Sequence, residues 1–357
     1  MSVTSLAVRN FRNLAEVDIS PAAGINIIFG ANAAGKTSLL EALFFLARVR
    51  SFRATRVDQL LTRGESSLLV RATVCRRDGS AVNVGVQWTA GATRVRVGGE
   101  DVRSLSRLAR FFPIQVINAE SQRLLLDGPK VRRSFLNWAL FHVEHDYHGY
   151  WRRYDKALRQ RNAALKLGDE RLTKAWEPEF VSAGAEIDRL RRSYVAQLSE
   201  ATAPLLGAWL GEEDIRLSYR GGWAQERSLE EAVEEARVRE LEAGHSLVGP
   251  HRADLVFRAS GMEAQHRLSR GQQKLLVIAV LLGQTSLLVR DANEPAILLI
   301  DDLPAELDEE RRQQVLELLV KSGAQSFITC TDRASIPLPA DKARWFHVEH
   351  GQYREVV

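Results

Sequence analysis

The stretch "INIIFGANAAGKTS", residues 25–38, narrows the fold more than any other part of the chain. A short apolar run ends at Gly30, four residues pass, and Gly35-Lys36-Thr37 open an apolar helix. This is the spacing G-x-x-x-x-G-K-[ST], set between a strand and a helix as a phosphate-binding loop must be. Gly30 and Gly35 let the backbone turn tightly, so that successive N–H groups point at a phosphate, and the helix start adds partial positive charge. Lys36 is then placed for the β- and γ-phosphates of a nucleotide, and the Thr37 hydroxyl for Mg2+. Asn32 and Ser38 complete the nucleotide-binding set. An ordinary glycine-rich turn before a helix would not call for Lys-Thr.

A second run, "AILLIDD" at 296–302, reads as a buried strand ending in two carboxylates. Alone, two acids would equally suit a strand end at a solvated edge. Beside a phosphate loop, Asp301 is expected to anchor the nucleotide's Mg2+ and Asp302 to orient and polarise an attacking water. Lys36, Asp301 and Asp302 are the candidate catalytic residues.

The remaining organisation follows from periodicity. "SLAVRNF" and "LAEVDIS" alternate as strands, and "TSLLEALFFLARV" has helical spacing. Between 68 and 98 three β-like segments are punctuated by "RDGS" and "TAGA", which predicts an antiparallel meander. From 123 to 204 strand signals vanish, and Trp151, Tyr154, Leu158 and Leu165 form one stripe, so an inserted helical domain is expected there. Residues 1–122 and 205–357 would flank it as one nucleotide-binding head, ending in alternating α and β segments and a hairpin.

"LSRGQQK", residues 268–274, opens another apolar helix. An N-cap explains Ser269 but not the Gly-Gln-Gln run. A phosphate loop, an acidic strand end and "LSRGQ" at a helix start together resemble the ABC-type ATPases. That resemblance implies a composite site, in which Ser269, Gly271 and Gln272 of one copy bind the γ-phosphate held by another. "VRNFRN" (8–13), "RSFRA" (50–54), "LLLDGPKVRRSFLNW" (124–138), "LRQRNAALK" (158–166), "GPHRADL" (249–255) and "IDDLPAELDEERR" (300–312) then follow in order a pattern similar to the RecF family, SMC-like heads without the long coiled coil. The fold implied is α/β: an ABC-type P-loop ATPase head, with a mixed sheet plus an antiparallel β meander, and an inserted α-helical domain. The resemblance also implies ATP and Mg2+ as cofactors and ATP-dependent homodimers on double-stranded and gapped DNA. It further implies RecO and RecR as partners and help in loading RecA. Arg12 is carried over as a nucleotide contact, Arg53 as a nucleotide- or DNA-sensing arginine, and Asp308 as the D-loop aspartate, with Ala305 where the family usually has Ser. Asn118 lies near the expected Q-loop glutamine.

Two departures bear on rate. Asp302 stands where most ABC ATPases carry Glu, and a carboxylate about 1.5 Å short of its place can cost ~100-fold. Thr329 and Thr331 occupy the region of the usual switch histidine. Slow hydrolysis is expected.

Eight Lys or Arg outnumber three acids over 149–174. Arg152, Arg153, Lys156, Arg159 and Arg161 are candidate DNA-phosphate contacts, which position without reading sequence. Such a run is also commonly a solvated helix face with ion pairs. Lys130, Arg132 and Arg133 form a second candidate patch. His142, Glu144, His145 and His148 lack the H-E-x-x-H spacing, and no metal beyond nucleotide Mg2+ is assigned. A net charge of +4 permits a polyanionic partner. Two distant cysteines favour a reducing compartment over a disulfide, no apolar run approaches the ~20 residues of a membrane span, and a cytoplasmic location is expected. A membrane-transporter ATPase subunit is the competing reading; the basic helical insert and the long separation of phosphate loop from signature argue against it.

Overall fold

The computed structural model describes residues 1–102, 108–109, 112–211, 213–292 and 296–356. The chain divides into two compact units, 1–121 with 288–357, and 122–287. The second boundary differs from the expected one near 204. Residues 205–287, including the signature motif, belong with the helices, because their strands pair with one another and none pairs with the first unit's sheets.

The first unit holds two sheets. One is antiparallel, ordered β2-β1-β4-β5-β6-β7. It comprises β1 (Ser2–Phe11), β2 (Leu14–Ile19), β4 (Ser67–Cys75), β5 (Ala81–Thr89), β6 (Ala92–Val97) and β7 (Glu100–Asp101). Alternation sets its inner face: Leu68, Val70, Ala72 and Val74 of β4 are buried, while Arg71 between them is exposed. The other sheet is mixed, ordered β15-β14-β3-β13-β12-β8. Its strands are β3 (Ile25–Phe29), β8 (Ile114–Ile117), β12 (Ile297–Ile300), β13 (Ser326–Cys330), β14 (Ala343–Glu349) and β15 (Gln352–Val356). Only β15 runs antiparallel; β12 and β13 are buried throughout, as continuous apolar runs in parallel sheets should be. Helix α1 (Lys36–Arg48) buries Leu39, Leu40, Leu43, Phe45 and Leu46 in one core with residues of both sheets.

The second unit contains α2 (Pro129–Val143), α3 (Tyr147–Leu167), α4 (Glu170–Leu210), α5 (Leu229–Ala243) and most of α6 (Arg270–Asp291). It also has a three-stranded sheet of β11 (Met262–Glu263), β10 (Asp254–Ala259) and β9 (Ile215–Arg220). Trp151, Tyr154, Leu158 and Leu165 lie on the inward side of α3, and the Tyr154 ring meets Phe180 of α4 at 4.9 Å. Helix α5 starts with a full capping box between Ser228 and Glu231 and ends at Gly244 in the left-handed region. At 22 residues α6 is long and apolar enough to cross a bilayer, which the nine-residue run "LLVIAVLLG" did not suggest, yet 72% of its most apolar window is buried within the protein. It is a core helix. A last helix, α7 (Glu309–Ser322), returns the chain to the first unit's sheet.

Candidate functional site

The loop 30–35 joins β3 to α1, and its shape is enforced. Gly30 sits at φ 152°, and a Cβ there would lie 2.2 Å from the Val348 carbonyl oxygen, so β14 passes too close for a side chain. The β14–β15 hairpin also clasps the loop. The Gly351 N–H donates to the Ala34 oxygen (2.8 Å), and the Tyr353 hydroxyl donates to the Gly35 oxygen (2.8 Å). Asn13 holds the other side, donating to the Ala33 oxygen (3.1 Å) and accepting from the Ser38 hydroxyl (2.7 Å). Ser38 is thus occupied in bracing the loop; Asn32 is exposed.

At the helix start, α1 has no side-chain cap and no acidic residue in its first turn, the reverse of α5. Its leading N–H groups are what an anion would satisfy. Lys36 lies across the loop, its Nζ donating to the Gly30 and Ala31 oxygens (2.7 and 2.8 Å). Burial lowers its pKa, against the pull of Asp302, Cys330 and Asp301. The same dry setting pushes the Cys330 thiol up to about 11, so it stays neutral.

The acidic strand end converges on this helix start. The Thr37 hydroxyl donates to both oxygens of Asp301 (2.8 and 3.1 Å), 264 positions away in sequence. Thr329 donates to Asp301 Oδ1 (2.8 Å) and accepts the Asp302 N–H (2.7 Å). Thr329, not the exposed Thr331, therefore touches both carboxylate residues. A hydroxyl beside a carboxylate is a set of hard oxygen donors, which fits Mg2+ shared with phosphate oxygens. Asp302 adopts the left-handed conformation (φ 53°, ψ 57°), and no hydrogen bond engages its carboxylate among the described residues. Asn118 follows β8, next to β12, and is tied to Ser121 at 3.0 Å.

Three sequence expectations change at this point. The Arg12 guanidinium is engaged by Glu41 (2.9 and 2.9 Å) and the Gln59 oxygen (2.9 Å), so here it acts as a brace. Arg132 forms a two-bond ion pair with Asp254 (2.7 and 2.9 Å), and Arg133 donates to the Ala253 oxygen (2.8 Å). Arg161 is fully buried and paired with Glu240 (2.6 Å) and Glu177 (3.2 Å). Arg132 and Arg161 are thus held inside the protein by ion pairs, and Arg133 is tied to the backbone through Nη1. Of the other basic candidates, Arg153 and Arg159 are in surface pairs with Glu179 and Asp155, and Lys156 lies over Trp176. Arg53, Lys130 and Arg152 are exposed and unpaired among the described residues. Tyr353 and Gly351 carry no sequence signal beyond proximity in the fold; Asn13 ends the run "VRNFRN", which marks the segment without giving it this role.

In the second unit, Ser269 and Gln272 form a reciprocal cap at the start of α6. The Ser269 hydroxyl accepts the Gln272 N–H (3.3 Å) and the Gln272 side chain accepts the Ser269 N–H (2.9 Å). Gly271 is different: it is exposed, and a Cβ there would meet nothing within 4 Å. The fold of a single chain gives no reason for a glycine in that turn, which costs about 1 kcal/mol relative to Ala. Asp308 caps α7, accepting the Arg311 N–H (3.0 Å).

The family profile described as "RecF/RecN/SMC N terminal domain" matches residues 2–352. The chain is 40% identical over 356 positions to the DNA replication and repair protein RecF of Shewanella baltica (strain OS223), covering 99% of each. It is 41% identical to that of Pseudomonas aeruginosa (strain LESB58), covering 100% of this chain and 98% of the relative. A solved structure of the recombination mediator protein RecF with ATP in the RecFOR pathway superposes with a TM-score of 0.86 at 26% identity, covering 100% and 98% of the two chains. An Smc head bound to the C-terminal winged-helix domain of ScpA has the same fold, with a TM-score of 0.62 at 15% identity and coverage of 100% and 97%. The fold is thus that of the RecF and SMC-type ATPase heads, and the transporter alternative has no support among these relatives.

Proposed function

We propose, on the premise that this chain belongs to the RecF family of DNA replication and repair proteins, that it is an ATP-switched clamp on double-stranded DNA. ATP joins two copies head to head, the phosphate loop of each completed by Ser269, Gly271 and Gln272 of the other. Slow hydrolysis releases them. The clamp acts near single-strand gaps in recombinational repair and replication restart, with RecO and RecR, and assists RecA loading. The ATP-bound relative of the RecFOR pathway supports this reading.

The observation that carries it is the uncapped start of α1 with Thr37 bonded to Asp301. There the N–H groups and Lys36 would hold the β- and γ-phosphates. Thr37 and Asp301 would hold Mg2+, which neutralises phosphate charge when bound. Asp302, whose carboxylate accepts no hydrogen bond among the described residues, orients the attacking water. Thr329 fixes the Asp301 carboxylate and the Asp302 backbone together, so neither drifts. Gly271 leaves room for a second copy's phosphate to approach backbone N–H groups at the start of α6.

The test is sedimentation and duplex DNA binding of wild type and Ser269→Arg with ATP, ADP and no nucleotide. Wild type is expected to dimerise and hold duplex only with ATP, while the variant binds ATP as a monomer. A variant that dimerises and binds duplex like wild type would sink the composite site.

A further inference from the structure

Residues 50–63, "RSFRATRVDQLLTR", carry four arginines and one acid. Arg56 is paired with Asp58. Arg50, Arg53 and Arg63 are exposed and make no ion pair or side-chain hydrogen bond among the described residues. The segment has only one helical turn of its own, Val57–Leu60, and a single bridge between Phe11 and Leu61. Three free guanidinium groups on a stretch with so little regular structure need outside support to hold fixed positions.

That support comes from α1. Glu41 lies one turn beyond Thr37 and is 0% exposed. Its carboxylate accepts two bonds from Arg12 and one from the Ser51 hydroxyl. Ser51 in turn accepts the N–H groups of Arg53 and Ala54, each at 2.7 Å. Arg12 donates from Nη1 to the Gln59 oxygen (2.9 Å) and from its backbone N–H to the Leu60 oxygen (2.6 Å). One buried carboxylate therefore holds both ends of the segment, the start through Ser51 and the finish through Arg12. Phe52 turns inward against Phe44 of α1 (5.4 Å, edge-on), which leaves Arg50 and Arg53 to the outside. A buried carboxylate is costly unless fully bonded, and a packed apolar residue would serve stability as well. Its cost is understandable if the arginine segment must keep a set position relative to the phosphate-loop helix.

We propose that residues 50–63 contact the phosphate backbone of duplex DNA through Arg50, Arg53 and Arg63, and that Glu41 is the positioning residue that fixes this segment to α1. The inference rests on the DNA-clamp reading and assigns it a surface. Exposed, unpaired arginines bind phosphates without regard to base sequence, and removing one such arginine lowers the salt dependence of binding by roughly 0.9 in log–log slope.

The experiment measures affinity for a fixed duplex against salt, with ATP present, alongside the KM for ATP and the turnover without DNA. It compares wild type, the triple variant Arg50→Ala/Arg53→Ala/Arg63→Ala, Glu41→Gln and Ser51→Ala. The triple variant is expected to bind duplex at least about tenfold more weakly at low salt, its slope shallower by roughly 2 to 3. Its KM for ATP stays unchanged. Glu41→Gln and Ser51→Ala, with all arginines present, are expected to show part of the same decrease in slope; Ser51→Ala serves if Glu41→Gln does not fold. A triple variant with wild-type slope and affinity overturns the proposed DNA surface. A raised KM for ATP with unchanged DNA binding assigns the arginines to nucleotide and overturns it too. Glu41→Gln and Ser51→Ala variants that melt earlier but keep the full slope reduce Glu41 to a stability role. If wild type itself ignores duplex under every nucleotide, the clamp reading fails first, and this surface with it.

Discussion

Asp302 stands one position after the carboxylate that meets Thr37, yet the two are held differently. Asp301 is fixed by two hydroxyls, whereas the Asp302 backbone is fixed by Thr329 and its carboxylate is left without a hydrogen bond among the described residues. A group meant to orient a water needs a fixed base and an open end. Asp302→Asn is therefore expected to bind ATP as wild type does while single-turnover hydrolysis falls about 100-fold or more. Retained turnover would move the water-orienting role elsewhere. The short Asp side chain also argues for a slow cycle in the native protein, with kcat not well above about 1 s⁻¹.

At the scale of elements, α3 shows how one helix separates two kinds of arginine. Its inner face buries Arg161 under Phe180, with Glu240, Glu177 and the Ser246 hydroxyl accepting from its two terminal nitrogens. Its outer face carries Arg152 with nothing bound to it among the described residues. Replacing Arg161 strands Glu240, which also accepts the Leu247 N–H at 2.6 Å and is itself 0% exposed. Arg161→Leu should cost about 3 to 5 kcal/mol in denaturant unfolding, and Arg152→Ala less than about 0.5 kcal/mol. Equal costs for the two would mean that the buried Arg161–Glu240 pair adds nothing to stability.

For the molecule as a whole, the unit 122–287 carries a pH dependence of its own. His251, in "GPHRADL", accepts the Tyr154 hydroxyl at Nδ1 (2.7 Å), with Nε2 3.1 Å from the Ser246 oxygen. That pairing suits the neutral ring, and burial lowers its pKa to about 4, with Arg252, Arg133 and Arg161 adding to the effect. The unfolded chain protonates this histidine near pH 6.5, so between 6.5 and 4 it binds the extra proton and the folded state does not. The contribution is therefore complete above pH 6.5 and is lost as pH falls toward 4, about 3 kcal/mol at most. Unfolding free energies of wild type and His251→Phe across that range should converge toward acid; parallel curves would show that the histidine does not titrate there.

What the sequence alone determined was local. A phosphate loop, an acidic strand end and a capped signature helix are each written in a few adjacent residues, because the backbone conformation or cap they need is set within one turn. The meander and the hairpin were legible for the same reason, from alternation and turn residues. Tertiary structure decided the fate of the charges. Arg152 and Arg161 look alike in a basic run, but only the fold brings Glu240, 79 positions on, to one of them. Glu41 reads as one more polar residue in a helix until Arg12 and Ser51 close on it. The division at 287 was equally hidden, since α6 runs unbroken across it and periodicity marks where a helix ends, not which core it joins. A charge's role depends on whether a distant partner replaces its lost water, and no local pattern records that.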